Sequence, residues 1–395
     1  MAVVSLGMVK RSERKRIAVV AGTRPEAIKL APVVLELRRH PQLFDVRVIA
    51  TAQHRRLADE SFALFAIEPD YDLNVMTSRQ SLTRVTSRVL ERLEPVLADI
   101  GPDLVLVQGD AATAFAGALA AFYHRCAVGH VEAGLRTGDK YDPFPEEVFR
   151  RLVTPIADLH FAPTDAARAA LLAEGVAASA IHVTGNTVID ALMSVARQDQ
   201  PLPARIARAL GSRERRLVLV TAHRRENLGR PLRNICRALR DLARRFEDLL
   251  IVYALHPNPQ VTNVVRAALG AERRVVLIRA PRYSQFVSLM KRAHLVLTDS
   301  GGLQEEAPAL GKPVLVLRRT TERPEGVAAG VARVVGVETA DIVAAATALL
   351  RDQRAYEDMA RAISPYGDGK AAQRIRRAIL HHFGLGPRPR DFSGC

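Results

Sequence analysis

The feature that most constrains this chain is an alternation, sustained almost end to end, of short continuous apolar runs with longer segments of helical spacing. A strand that is apolar at every position has to be covered on both faces, which is the situation of a parallel sheet flanked by helices. The runs Arg16–Ala21, Val46–Thr51, Leu104–Gln108, Val128–Val131, His160–Ala162 and His182–Gly185 predict a first set of strands. Leu217–Thr221, Leu250–Ala254, Val275–Ile278, Leu295–Thr298 and Val314–Leu317 predict a second. Between them, a pattern such as Leu82, Val85, Val89, Leu93 and Leu97 marks the buried stripe of a helix.

Eleven strands are too many for one small sheet, and 395 residues can supply cores for two domains. The expected fold is α/β, with two Rossmann-like, doubly wound parallel-sheet domains and a ligand cleft between them. The break falls at Gln198–Pro203, where two prolines interrupt the helical pattern. The expected organisation is a basic arm over 1–15, a first domain over 16–200 and a second over 201–367. A closing helix over 368–385 is expected to join the first domain.

Net charge is +15, which raises nucleic acid as a partner. Part of the excess is the amino-terminal arm, and much of the rest is scattered, as at Arg205, Arg208, Arg213, Arg215 and Arg216. Aromatics are 5% of the chain and do not interleave with the cations, so a solvated Arg-rich surface, or an acidic small-molecule substrate, fits better than nucleic acid. The three cysteines, Cys126, Cys236 and Cys395, form no disulfide framework, and no His or Cys spacing suits a metal. The longest apolar run, Ala111 to Phe122, is about half of the roughly 20 residues a bilayer span needs. The expectation is a soluble, cytoplasmic protein without metal, cofactor or membrane partner.

In open parallel sheets ligands bind beyond the carboxyl ends of the strands, so the loops there carry the chemistry. Gly22–Lys29 follows the first strand, and Pro25 can open a helix whose free amides, with Arg24 and Lys29, would receive an anion. A plain strand-to-helix turn with surface cations is the alternative. Asp299-Ser-Gly-Gly302 repeats the arrangement in the second domain. There Ser300 could cap the helix or donate to a phosphate, Gly301 and Gly302 permit close approach, and Glu306 could accept from a ribose. Two anion-receiving loops suggest a bound diphosphate. Asp110, Glu132 and Glu146 stand at the strand ends of the first domain, and carboxylates that crowd one another divide into acid and base. Asp110 alone could instead be a helix cap. His223, beside Arg224 and Arg225, suits a phosphate or a leaving oxygen, whereas His256 on its own reads as structural.

Taken in order, these loops resemble the non-hydrolysing UDP-N-acetylglucosamine 2-epimerases. The matching segments are Gly22–Lys29, Gln53–Arg55, Gly109–Asp110, Gly129–Asp139, Pro145–Glu147, Thr184–Asn186, His223–Glu226, Asp299–Glu306 and Thr321–Glu325. The resemblance implies a GT-B-type arrangement, usually a homodimer, and interconversion of UDP-N-acetylglucosamine and UDP-N-acetylmannosamine through UDP elimination, a glycal and re-addition. It assigns the C2 proton and the sugar to Asp110, Glu132 and Glu146, and places His223 at the leaving diphosphate. Arg24, Lys29, Ser300, Gly301, Gly302, Glu306 and Arg323 would hold UDP, with Phe286 beside the uracil. Some members bind a second UDP-N-acetylglucosamine as activator, and Gln53, Arg79, Arg224 and His256 match positions expected there. Arg56 departs from that pattern, and Gln108 replaces the more usual His before Gly109-Asp110. Rival readings are a related epimerase acting on a modified UDP-sugar, a hydrolysing 2-epimerase and a GT-B glycosyltransferase.

Overall fold

A computed structural model describes residues 14–51, 55–76, 80–198, 200–211 and 215–394, with the backbone alone at 55–59. The amino-terminal arm expected over 1–15 therefore lies outside the described residues up to position 13. Two compact units emerge. The first comprises the chain through Ala162 together with Ala167–His182 and Ala372–Pro389, and the second comprises Pro163–Ala166, Val183–Ala371 and the chain from Arg390.

The first unit is built on a seven-stranded sheet of β1 (Lys15–Ala21), β2 (Phe44–Ala50), β3 (Tyr71–Asp72), β4 (Leu104–Gln108), β5 (Ala127–Val131), β6 (Leu159–Ala162) and β7 (Ile181–Val183). The order is β3-β2-β1-β4-β5-β6-β7, and the pairings from β3 across to β6 are parallel, with Gln108 for example opposite Val131. Its strands are apolar throughout because both faces are covered. On one face Ala18, Val20, Val105 and Val107 pack with Val85, Val89, Leu93 and Leu97 of helix Leu82–Ile100. Gly117 of helix Ala112–Tyr123 has no side chain to hold the helix off this sheet, and a Cβ there would come within 3.1 Å of Val107.

The second unit carries β8 (Arg216–Thr221), β9 (Leu249–Leu255), β10 (Val275–Arg279), β11 (Leu295–Thr298), β12 (Val314–Val316) and β13 (Ala332–Val334). Their order is β10-β9-β8-β11-β12-β13, again parallel. Val218, Val220, Ile251, Tyr253 and Leu297 pack against Leu232, Ile235, Leu239 and Leu242 of helix Arg230–Arg245.

All eleven expected strands form, within one or two residues at their ends. β3 and β13 are additions. They sit at sheet edges and have two and three residues, too short to leave an apolar run in the sequence. The break between units falls near Val183, ahead of the prolines at Pro201 and Pro203. Helix Thr187–Ala196 packs on helices Tyr283–Arg292 and Gly301–Ala309, which places it in the second unit. Helix Ala371–His382 belongs, from Ala372, to the first. None of the described helices is long and apolar enough to cross a membrane.

Candidate active site

In the first unit the strand order brings β1, β4 and β5 side by side, so the residues just past their carboxyl ends share one edge. After β4 the chain turns at Gly109 (φ +69°), where a non-glycine residue would be strained and its Cβ would lie 3.4 Å from Glu132 Oε2. Asp110 follows. It does not cap the next helix: Ala111 occupies that position and makes no capping bond. Instead Asp110 is ion-paired with Arg150 of helix Glu146–Val153. Burial pushes the Asp110 carboxyl up, Arg150 opposes this, and Glu132 and Glu146 raise it further. Glu132 and Glu146, the other two carboxylates picked out in the sequence, thus lie within electrostatic reach of Asp110.

Glu132 follows β5 with φ +65°, an uncommon backbone state for a residue that is not glycine. Its carboxylate is buried; Lys29 pairs with Oε1 and Gln108 donates to Oε2. The neighbouring His130 is fully buried, and burial lowers its imidazole to about 4. It is therefore neutral near pH 7 and donates from Nε2 to Gly109 O at 2.7 Å, the tautomer following from the carbonyl partner. Glu146 is half-buried, whereas Glu147 is fully buried, accepts from Thr137 N at 3.1 Å and lies 3.6 Å from Arg150. Of the two adjacent glutamates, one is tied to the fold and the other stays available.

The turn after β1 corrects the sequence reading. Its amides are not free for an anion: Gly22 N and Thr23 N donate to Glu26 Oε2 at 3.0 and 2.7 Å, and Glu26 N returns to Thr23 Oγ1. This is a capping box. Burial raises the Glu26 carboxyl to about 7, against the Thr23 and Gly22 hydrogen bonds that lower it. What remains for a ligand at this turn is the half-buried Arg24, while Lys29 already neutralises Glu132.

In the second unit β8 and β11 are neighbours, with Thr221 opposite Thr298, so His223 and Asp299 emerge together. Fully buried Asp299 gathers three donors on Oδ2: His223 N at 2.7 Å, Arg224 N at 2.8 Å and Asn227 Nδ2 at 2.9 Å. Its Oδ1 lies 3.6 Å from His223 Nδ1 and has no hydrogen-bond partner among the described residues. Burial lowers the His223 imidazole, with Asp299 pulling the other way and His256 adding to the fall. The His223 and His256 rings stack at 5.0 Å and 8°. His256 therefore touches the group that sequence alone separated from it.

Ser300 stands at the start of helix Gly301–Ala309, and its side chain makes no capping bond. At Gly301 a Cβ would lie 2.7 Å from Glu322 Oε1, so a side chain there would have to displace the end of that glutamate. Gly302 is open by comparison, with Glu306 Oε2 3.8 Å from a Cβ position. Glu306 is buried, and Tyr283 OH donates to its Oε1 at 2.6 Å. Arg323, expected on the nucleotide, is ion-paired with Glu305, which also accepts from Asn186 Nδ2 at 2.7 Å. Arg224 reaches Glu322 at 2.9 Å, and Arg318 joins Glu322 to Glu226. Phe286 lies half-buried on helix Tyr283–Arg292. Gln53 and Arg79 lie outside the described residues, as does the side chain of Arg56.

Arg150, Tyr283 and Asp299 are partners that the sequence reading left without a role. Only Asp299 had a signal, as an acidic residue directly after a strand. No group of His, Cys, Asp and Glu among the described residues has the geometry of a metal site.

Two parallel α/β sheets, one with clustered carboxylates past its strand ends and one with a Ser-Gly-Gly turn into a helix, define an enzyme of two Rossmann-like domains. Residues 35–380 match the UDP-N-acetylglucosamine 2-epimerase family. The chain is 50% identical to the UDP-N-acetylglucosamine 2-epimerase of Bacillus subtilis over 97% of its own length and 100% of the relative's. It is 51% identical to the Escherichia coli K12 enzyme, covering 93% of this chain and 99% of that one. A crystal structure of the Neisseria meningitidis UDP-GlcNAc 2-epimerase bound to UDP-GlcNAc superposes with a TM-score of 0.84 at 45% identity, over 93% of this chain and 100% of that one. The chain belongs to the UDP-N-acetylglucosamine 2-epimerase family and is by that membership an isomerase.

Proposed function

We propose that this chain interconverts UDP-N-acetylglucosamine and UDP-N-acetylmannosamine without hydrolysis, as a homodimer. The observation that carries the reading is the carboxylate cluster: Glu132 and Glu146 both act on the buried Asp110 carboxyl, with Lys29 and Arg150 as counter-charges. The UDP-GlcNAc bound to the Neisseria meningitidis relative supports the substrate class.

Inversion at C2 requires removing a weakly acidic hydrogen and returning one to the opposite face. A carboxylate takes the C2 proton, the C1–O bond to the diphosphate breaks, and UDP departs with that bonding pair. The C2–H electrons form a C1=C2 double bond, giving a glycal. A second acid then protonates C2 from the other side, and a UDP oxygen returns to C1. Asp110, whose carboxyl is raised by burial, suits a proton that must both leave and return. Glu132 and Glu146 serve the sugar beside it. His223, kept near neutrality by burial against the pull of Asp299, would gain a proton as the diphosphate arrives. Arg24, Ser300, Gly301, Gly302, Glu306 and Arg323 supply donors, charge and close approach for UDP, with Phe286 at the uracil, while Lys29 would reach UDP only by sharing its ammonium with Glu132. Arg323 would exchange part of its contact with Glu305 for phosphate.

The test is UDP-N-acetylglucosamine carrying ¹⁸O in the bridge between C1 and the β-phosphorus. Expected are UDP-N-acetylmannosamine and migration of the label into non-bridging phosphate positions. Free N-acetylmannosamine would mark a hydrolase, and a label that stays in the bridge would rule out C1–O cleavage.

A further inference from the structure

The second unit carries a concave cationic site at the opposite end of its sheet from His223 and Ser300. It is a cavity of about 520 Å³ lined by Arg215, Arg216, Asp248, Arg292, His294, Lys312 and Tyr356. Arg216 opens β8, His294 immediately precedes β11 and Lys312 lies just ahead of β12, so the lining belongs to the amino ends of three adjacent strands. The nucleotide-type turns follow the carboxyl ends of the same strands. β8 has six residues, which at about 3.3 Å each places the two ends roughly 17 Å apart. A group bound here does not belong to the turn at Ser300.

The charges do not cancel. Asp248 is the single carboxylate of the lining, and Arg216 already takes it at 2.6 Å. Arg216 is further held by Leu350 O, and Arg215 by Ala209 O at 2.8 Å. Arg292 and Lys312 have no such anchor. Among the described residues neither side chain forms an ion pair or hydrogen bond. Burial lowers the Lys312 ammonium, and Arg292 beside it lowers it further. Burial, followed by Arg216 and Lys312, brings the His294 imidazole down to about 4. His294 is stacked on Tyr356 at 4.1 Å and 3°, which fixes its ring at the site. Half-buried Lys312 and exposed Arg292, neither with a counter-ion among the described residues, raise the local concentration of an anion that can neutralise them.

We propose that this cavity is a second anion-binding site, in which Lys312 and Arg292 hold a phosphoryl or pyrophosphoryl group beside the ring of His294. The group can arrive as free pyrophosphate or as the phosphates of a nucleotide. A bound dianion removes the mutual repulsion of the two cations and favours protonation of the neighbouring imidazole.

The test uses the full chain with ¹³C-labelled histidine, its His294 signal assigned by loss in His294→Asn, titrated with inorganic pyrophosphate. Expected is saturation below about 1 mM, with the His294 titration midpoint moving to higher pH. The double variant Arg292→Gln/Lys312→Gln is expected to lose at least about tenfold in pyrophosphate affinity at this signal, with UDP affinity unchanged. A His294 signal that pyrophosphate does not move, or moves only as chloride does, overturns the proposal. So does undiminished response in a folded double variant. ATP acting at lower concentration than pyrophosphate would identify a nucleotide as the source, and equal potency the isolated phosphoryl group; both uphold the site.

Discussion

Gln108 and Glu132 are joined side chain to side chain across adjacent parallel strands, the buried amide donating to Oε2 of the carboxylate. Because β4 and β5 pair Gln108 with Val131, the residue after Val131 has its carboxylate held by its neighbour's amide. Lys29 holds the other oxygen. A carboxylate fixed from both sides is pre-organised for a substrate, and it loses that placement if the amide is removed.

Gln108→Leu is accordingly expected to lower kcat by about tenfold to a hundredfold, the range for one lost buried hydrogen bond to a charged group. UDP affinity should stay the same, and Gln108→His, which keeps an N–H donor, should retain more activity than the leucine variant. Steady-state kinetics with calorimetry of UDP binding measures this; an equal fall in UDP affinity would give Gln108 a different role.

Arg150 governs the protonation of Asp110. Burial raises this carboxyl and the guanidinium restrains the rise, so Arg150→Met releases it upward. If Asp110 works ionised, the acid limb of kcat/KM moves to higher pH in the variant. A pH–rate profile with the limb unmoved would separate Asp110 from that limb.

Glu26 makes stability depend on pH in a definite direction. Its folded value near 7 exceeds its ordinary 4.5, so the folded state holds the extra proton in between. Stability from this group is complete below about pH 4.5, falls as pH rises towards 7, and is level above that. Glu26→Gln keeps an acceptor for Gly22 N and Thr23 N but cannot ionise. Denaturant unfolding should show the variant gaining on the native chain between about pH 5 and pH 8, by up to about 1.4 kcal/mol per unit of displacement. A difference constant with pH would contradict this.

Tyr283 orients Glu306 by its 2.6 Å hydrogen bond. Tyr283→Phe should weaken UDP binding by about threefold to tenfold, a typical worth for one such bond, without moving the pH profile. Calorimetry with UDP checks it, and unchanged affinity would remove Glu306 from the ribose.

Much of this was legible in the sequence, because an apolar strand between helices has few other ways to be buried. Every long strand announced itself, whereas β3 and β13 did not, since an edge strand of two or three residues has no pattern to show. The prolines at Pro201 and Pro203 suggested a boundary that the packing of helix Thr187–Ala196 moves back to Val183. Carboxylates at strand ends were visible as positions, but their partners were not. Arg150 meets Asp110 only because a helix packs there, and Glu26, given no role from the sequence, takes the amides of Gly22 and Thr23. Local chemistry is written in order along the chain, whereas pairing across 40 residues is settled by packing.

The most direct measurement is incubation with UDP-N-acetylglucosamine in deuterated water, followed by NMR of the recovered nucleotide sugars, for the native chain and for Asp110→Asn. Deuterium at C2 of both epimers, lost in a variant that still binds UDP, is the expected result. Epimers that form with the original hydrogen retained at C2 would contradict proton exchange by these carboxylates.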